Sequence, residues 1–211
     1  MTVSPARPGV CVPYKRFLVR GWCAVNVIEL LREDHEKVLI MLTELENVPA
    51  MVGADQSQAR KELVTKLVIA ESRHEAIEEQ YFWPMVRESV PGGEELAHRA
   101  VEQEDAAKKL LAALDRAEPA QADFEPMVQR IVADGREHID YEQTQVWPRV
   151  LASVDKSTLE ELGEKMAKAR SMAPTRPHPA TPSGPGAQKT AGMAAAAADK
   201  LRDTLTGRGR S

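Results

Sequence analysis

His74-Glu-Ala-Ile-Glu78-Glu-Gln-Tyr-Phe-Trp83-Pro84 and His138-Ile-Asp-Tyr-Glu142-Gln-Thr-Gln-Val-Trp147-Pro148 are one pattern written twice. His, Glu, Trp and Pro recur at matching offsets, and the copies lie 64 residues apart. A third His-x-x-x-Glu, His98 to Glu102, stands between them, and His35 stands upstream after Asp34. Three of the five histidines in the chain therefore carry a glutamate four positions on. On an α-helix, positions i and i+4 share a face, so each pair aims an imidazole and a carboxylate in one direction. Any single pair is more often a surface ion pair. A series of them on successive helices is how a helical bundle builds a metal site.

Outward from these strings, the chain reads as helices. From Val27 to about Asn47, apolar residues return at Val27, Leu31, Val38, Leu42 and Leu45, with His35 on the same stripe. A second helix is expected from about Ser57 to Trp83, with Leu63, Leu67, Ala70, His74, Glu78 and Tyr81 along its face; Pro84 should end or kink it. Pro91-Gly92-Gly93 marks a turn. A third helix, about Glu94 to Ala117, presents His98, Glu102, Ala106, Leu110 and Leu114 at steps of four. Asp123 is the expected N-cap of a fourth, with Pro126 in its first turn and Ile131, His138, Glu142 and Val146 along one side until Pro148. A short fifth helix should start at the capping box Ser157-Thr-Leu-Glu160 and reach about Arg170. The prolines at 174, 177, 179, 182 and 185 mark residues 171–190 as a linker in which His178 is solvated, and a small helix follows within Gly192 to Gly207. The fold class is thus all-α: an up-and-down antiparallel four-helix bundle over residues 25–170 with a short fifth helix, flanked by disordered tails, an irregular basic segment 1–24 and residues 171–211.

Apolar residues make up 43% of the 211, enough for a core, and aromatics only 4%, which with few β-branched runs favours helix. The net charge of −4 conceals a division: residues 1–24 and 171–211 each carry +4, leaving −12 on the body. An acidic body argues against a nucleic-acid partner. No stretch approaches the roughly 18 apolar residues of a membrane span. The run after Lys15, Arg16 and Arg20 is broken by Asn26 and Glu29, so a signal peptide is not expected and a cytoplasmic location is. Cys11 and Cys23 form no C-x-x-C and sit near no histidine, which reads as two reduced thiols.

Four His and three Glu at one level of a bundle would be costly to bury without partners, by several kcal/mol each. Two cations remove that cost and leave open positions for a small ligand. Mixed imidazole and carboxylate donors without cysteine favour iron or manganese. Other metal patterns fail on spacing. His74-Glu-Ala-Ile-Glu78 lacks the closing histidine of a zincin. The Glu-x-x-His of ferritin-like sites occurs at Glu71–His74 and Glu95–His98, but Gly135 and Arg32 stand three residues before His138 and His35. Trp83, Trp147, Tyr81 and Tyr141 read as core packing around the site.

These residues resemble the hemerythrin-like, HHE cation-binding family over about residues 25–155, in the pattern of its actinobacterial members. The resemblance implies two non-haem iron ions, oxo- or hydroxo-bridged. His35 and His74 would hold one iron, His98, Glu102 and His138 the other, and Glu78 and Glu142 would bridge. The chain departs from the oxygen carriers of this family by having Glu102 in place of a histidine and Glu142 at i+4 in place of an aspartate at i+5. An added carboxylate favours the ferric state, which implies reaction with hydrogen peroxide or nitric oxide, alongside dioxygen, in oxidative stress. A catalase- or peroxidase-type enzyme and an oxygen, nitric-oxide or iron sensor without turnover both remain open, as do the electron donor and the oligomeric state.

Overall fold

The computed structural model describes residues 25–47, 54–180 and 192–208, and every regular element among them is a helix. The segment 1–24, with Cys11 and Cys23, lies outside the described residues. α1 spans Val27–Asn47 and is capped by Asn26, whose Oδ1 accepts from the Ile28 amide at 2.9 Å. α2 spans Ala54–Ile77 and passes through a π turn, Glu78–Phe82, into α3, Trp83–Ser89. After a turn in which Gly92 takes the left-handed φ of 72°, α4 runs over Gly93–Arg116. α5, Phe124–Tyr141, repeats the arrangement of α2 with a π turn, Glu142–Val146, and α6, Trp147–Ser153. α7 spans Lys156–Arg170 and α8 Met193–Thr206.

α1 packs on α2 and α5, and α4 closes the ring against the same two helices. Their directions follow from one buried arginine. Arg60, near the start of α2, donates to the Leu45 carbonyl at the end of α1 and, through two nitrogens at 2.5 Å each, to Glu125 at the start of α5. Next to it, Lys61 Nζ reaches the Leu114 and Asp115 carbonyls at the end of α4. α1 and α4 therefore run against α2 and α5, which is the up-and-down order. α7 lies across the start of α1 so closely that a Cβ on Gly163 would sit 1.9 Å from the Val25 carbonyl oxygen.

The two prolines neither end nor break their helices. Pro84 has no N–H to donate, and its ring would collide with the carbonyl four residues back. The backbone widens instead: the Trp83 amide bonds to the Glu78 carbonyl, five residues back, and the Trp147 amide bonds likewise to Glu142. The helix continues, and Val86, Val90, Val150 and Val154 stay buried beyond it. Two caps differ from expectation. Asp123 stands at the N-cap of α5 but makes no side-chain capping bond, and α7 is capped by Asp155, which accepts from the Thr158 amide at 3.0 Å, two residues before the expected Ser157.

The core is split in two. One apolar cluster holds Leu31, Phe82, Trp83, Ala97, Trp147 and Met166. The other holds Leu42, Leu45, Leu67, Leu111, Leu114 and Phe124. Between them lies a buried polar layer. Residues 171–180 are not the solvated linker that their prolines suggest. The Thr175 and Arg176 amides donate to Asp199 of α8 at 3.1 and 3.0 Å, and His178 Nε2 meets the same carboxylate at 3.0 Å. Arg208, just past α8, pairs with Asp115 of α4 at 2.5 Å, so the tail is strapped to the bundle.

Candidate metal centre

The polar layer is built by one side chain position on each helix and one turn more on two of them. His35 of α1 and His74 of α2 approach Nε2 to Nε2 at 3.1 Å. His35 Nε2 lies 3.1 Å from Glu142 Oε2, and His74 Nε2 lies 3.1 Å from Glu78 Oε2. On the far side, His138 Nε2 lies 3.2 Å from Glu142 Oε1. These atoms fall into two donor groups. The first is His35, His74, Glu78 and Glu142; the second is Glu78, Glu104, His138 and Glu142. In each group the donor atoms all lie within 4.8 Å of one another, and Glu78 and Glu142 belong to both.

Five of the seven residues singled out from sequence thus converge: His35, His74, Glu78, His138 and Glu142. His98 and Glu102 do not. They face solvent, 67% and 70% exposed, and pair with each other at 3.4 Å. The reason is geometric. Every fourth residue of an α-helix advances about 40° around the axis, so the run from 98 to 114 in steps of four drifts about 160° and cannot stay on one face. The buried stripe of α4 is Ala97, Ala100, Glu104, Lys108 and Leu111, with steps of three and four mixed. The carboxylate expected from α4 is supplied by Glu104, which is 1% exposed.

Sequence reading also missed the layer around the donors. His138 Nδ1 faces Gln103 Oε1 at 3.2 Å, which holds the ring proton there and leaves the Nε2 lone pair toward the cluster. Gln143 contacts His35 in the opposite sense, its amide Nε2 donating to Nδ1 of the ring at 3.2 Å. Trp83 Nε1 donates to Glu104 Oε1 at 2.5 Å, and Trp147 stacks on the His35 ring with centroids 4.9 Å apart. The two tryptophans are core residues, as expected, and they also position a donor each. Tyr141 donates to the Leu96 carbonyl at 3.2 Å and has a packing role. Further along α2 and α4, Lys108 pairs with Glu79, both buried, beside the buried Glu75.

The electrostatics of the layer are those of donors pressed together. Burial acts to lower His74, but the charges of Glu78, Glu142 and Glu71 prevail and lift it to about 10. Burial likewise opposes His138, which Glu142 and Glu78 raise to about 9. Burial and repulsion from Glu142 push Glu78 up to about 7, and burial pushes Glu75 to about 8 although Lys108 opposes it. Burial, with the charges of Glu78, Glu75 and Glu142, holds Glu104 well above the carboxylate range. Glu142 moves down, because His138 and His35 outweigh its burial, and His35 moves down because its own burial prevails. Close approach here is not the same as hydrogen bonding. Both oxygens of Glu78 and of Glu142, His138 Nε2 and Glu104 Oε2 are buried and have no hydrogen-bond partner among the described residues. Such groups are costly to bury unless something else satisfies them, and lone pairs converging on shared points fit cations.

The hemerythrin HHE cation binding domain family matches residues 26–150. The chain belongs to this family. The matched stretch begins at the cap of α1 and ends in α6, so it contains every donor of both groups. Among proteins similar to this HHE domain is a hemerythrin-like protein of Schizosaccharomyces pombe, 24% identical over 135 residues, or 64% of this chain; the chain spans 66% of that relative's length. Among solved structures, the hemerythrin HHE cation binding domain-containing protein of Mycobacterium kansasii shares the fold. Its TM-score is 0.58 at 23% identity, over 70% of this chain and 86% of that one. Among the described residues no helix is long and apolar enough to cross a membrane.

Proposed function

We propose that this HHE domain holds two iron ions and uses them to react with small oxidants, hydrogen peroxide or nitric oxide before dioxygen. The observation that supports it is the sharing of Glu78 and Glu142, whose buried oxygens have no hydrogen-bond partner among the described residues, between two donor groups. His35 and His74 would serve one ion, His138 and Glu104 the other, and Glu78 and Glu142 both. The donors are imidazole nitrogen and carboxylate oxygen with no thiolate, a set suited to iron or manganese rather than softer ions. Bound iron would supply the redox chemistry and the open coordination positions that an oxidant needs.

The residues of the chain do the rest. Three carboxylates against three imidazoles make an electron-rich set, which favours the ferric state and works against reversible oxygen carriage. Gln103 and Gln143 fix the ring orientation of His138 and His35. Two apolar clusters, with Trp83 and Trp147 at the edge of the layer, flank the donors on either side. The test is consumption of hydrogen peroxide and of nitric oxide by the iron-loaded full chain, compared with a Glu142→Ala variant. Turnover by the first and not the second is expected. Reversible dioxygen binding with peroxide and nitric oxide left untouched would overturn the reading.

A further inference from the structure

The bundle is open between α4 and α5. A cleft of about 300 Å3 enters there and reaches the polar layer. Its floor is Glu71 and Glu75 of α2, and its inner flank is Glu104 and His138, both members of the second donor group. At the mouth stand Glu102 and Glu137, both exposed. The lining also holds two guanidiniums. Arg130 is tied to Asp134 at 2.6 Å, and Arg99 lies over the Tyr141 ring at 4.3 Å. Inside, Glu75 is 3% exposed and Glu104 1%, and each keeps an Oε2 without a hydrogen-bond partner. Acids at the mouth and unpartnered carboxylate oxygens at the end describe a path for a positive ion. A narrow cleft with low-dielectric walls concentrates the field of such a mouth.

We propose that this cleft is the loading port of the centre. Divalent cations, ferrous iron among them, are drawn in by Glu102 and Glu137 and pass Glu75 to reach Glu104 and His138. The proposal rests on the two-metal reading above, and it gives the exposed His98–Glu102 turn of α4 a role outside the donor set.

The experiment mixes metal-free full chain with manganous ion at low ionic strength and follows bound metal against time by rapid desalting and elemental analysis. The wild type is compared with Glu102→Lys/Glu137→Lys and with a control of equal charge change on the outer face of α1, Glu36→Lys/Glu44→Lys, where both residues are exposed. The port variant should load at least about tenfold more slowly than wild type. Its final stoichiometry should be unchanged, and the difference should shrink toward 1 M salt, where the screening length falls to about 3 Å. The control should load close to the wild-type rate. Equal rates in wild type and port variant, or equal slowing in both variants, would overturn the port while leaving two bound metals intact. A wild type that takes up no metal would overturn the two-metal reading and the port with it.

Discussion

Glu104→Gln separates a ligand from a structural acid, because its effect should change between the metal-free and metal-loaded protein. In the metal-free chain, burial and the charges of Glu78, Glu75 and Glu142 hold Glu104 protonated, and its Oε1 accepts from Trp83. Glutamine has nearly the shape of the neutral acid and keeps that hydrogen bond, so metal-free stability should stay within about 0.5 kcal/mol of wild type. Once metal is bound, the carboxylate would be ionised and an amide is a far weaker donor. Losing an outer partner of a ligand costs up to about 100-fold in affinity, and losing the ligand itself at least as much. A 100-fold loss is about 2.7 kcal/mol of metal-linked stabilisation. For a bundle of this size that corresponds to a metal-induced rise in Tm about 5–10 °C smaller than wild type. Glu102→Gln is the comparison, and being exposed it should leave both states unchanged. Differential scanning calorimetry with and without metal reads all six values. Loss of stability already in metal-free Glu104→Gln, or an equal metal effect in both variants, would refute the assignment of Glu104.

The metal-free protein should be most stable on the acid side of neutrality. His74, His138, Glu75 and Glu78 all titrate higher folded than unfolded, so their contributions are complete at low pH and are lost as pH rises through about 7 to 10. Denaturant titrations from pH 5 to 9 should therefore show a fall of about 1.4 kcal/mol per pH unit for each extra proton the folded state holds, whereas the depressed Glu142 and His35 act the other way and remove stability as pH falls. Metal should reverse the slope, because ligation requires the deprotonated donors. Lys108→Met should destabilise by about 3–5 kcal/mol in urea unfolding, since it removes the cation that pairs with the buried Glu79 and stands near the buried Glu75. Gly163→Ala should separate α7 from the start of α1, because its Cβ meets the Val25 carbonyl; the fall in Tm should be accompanied by faster amide exchange at residues 27–31.

The bundle was legible because its apolar residues return at steps of three and four. His35, His74, Glu78, His138 and Glu142 lie on stripes of that kind, and all five meet in one layer. α4 misled for a definite reason. His98–Glu102 imitates the other pairs, and a strict step of four let it carry Leu110 and Leu114 along, whereas the phase of Ala97, Ala100 and Leu111 points to Glu104 and Lys108. A buried Glu and a buried Lys at i, i+4 look in sequence like a surface ion pair, so only the apolar phase could have found Glu104 and Lys108. The π turns had a visible cause in Trp83-Pro84 and Trp147-Pro148, but proline reads as a stop when tertiary packing is unknown. His178 looked solvated among prolines because its partner, Asp199, lies 21 residues away in another helix.

The central claim is that two ions share Glu78 and Glu142. The most direct measurement is the iron content of the iron-loaded chain together with its Mössbauer spectrum in an applied field. The account predicts two irons per chain behaving as one spin-coupled pair. One iron per chain, or two that respond to the field independently, would contradict it.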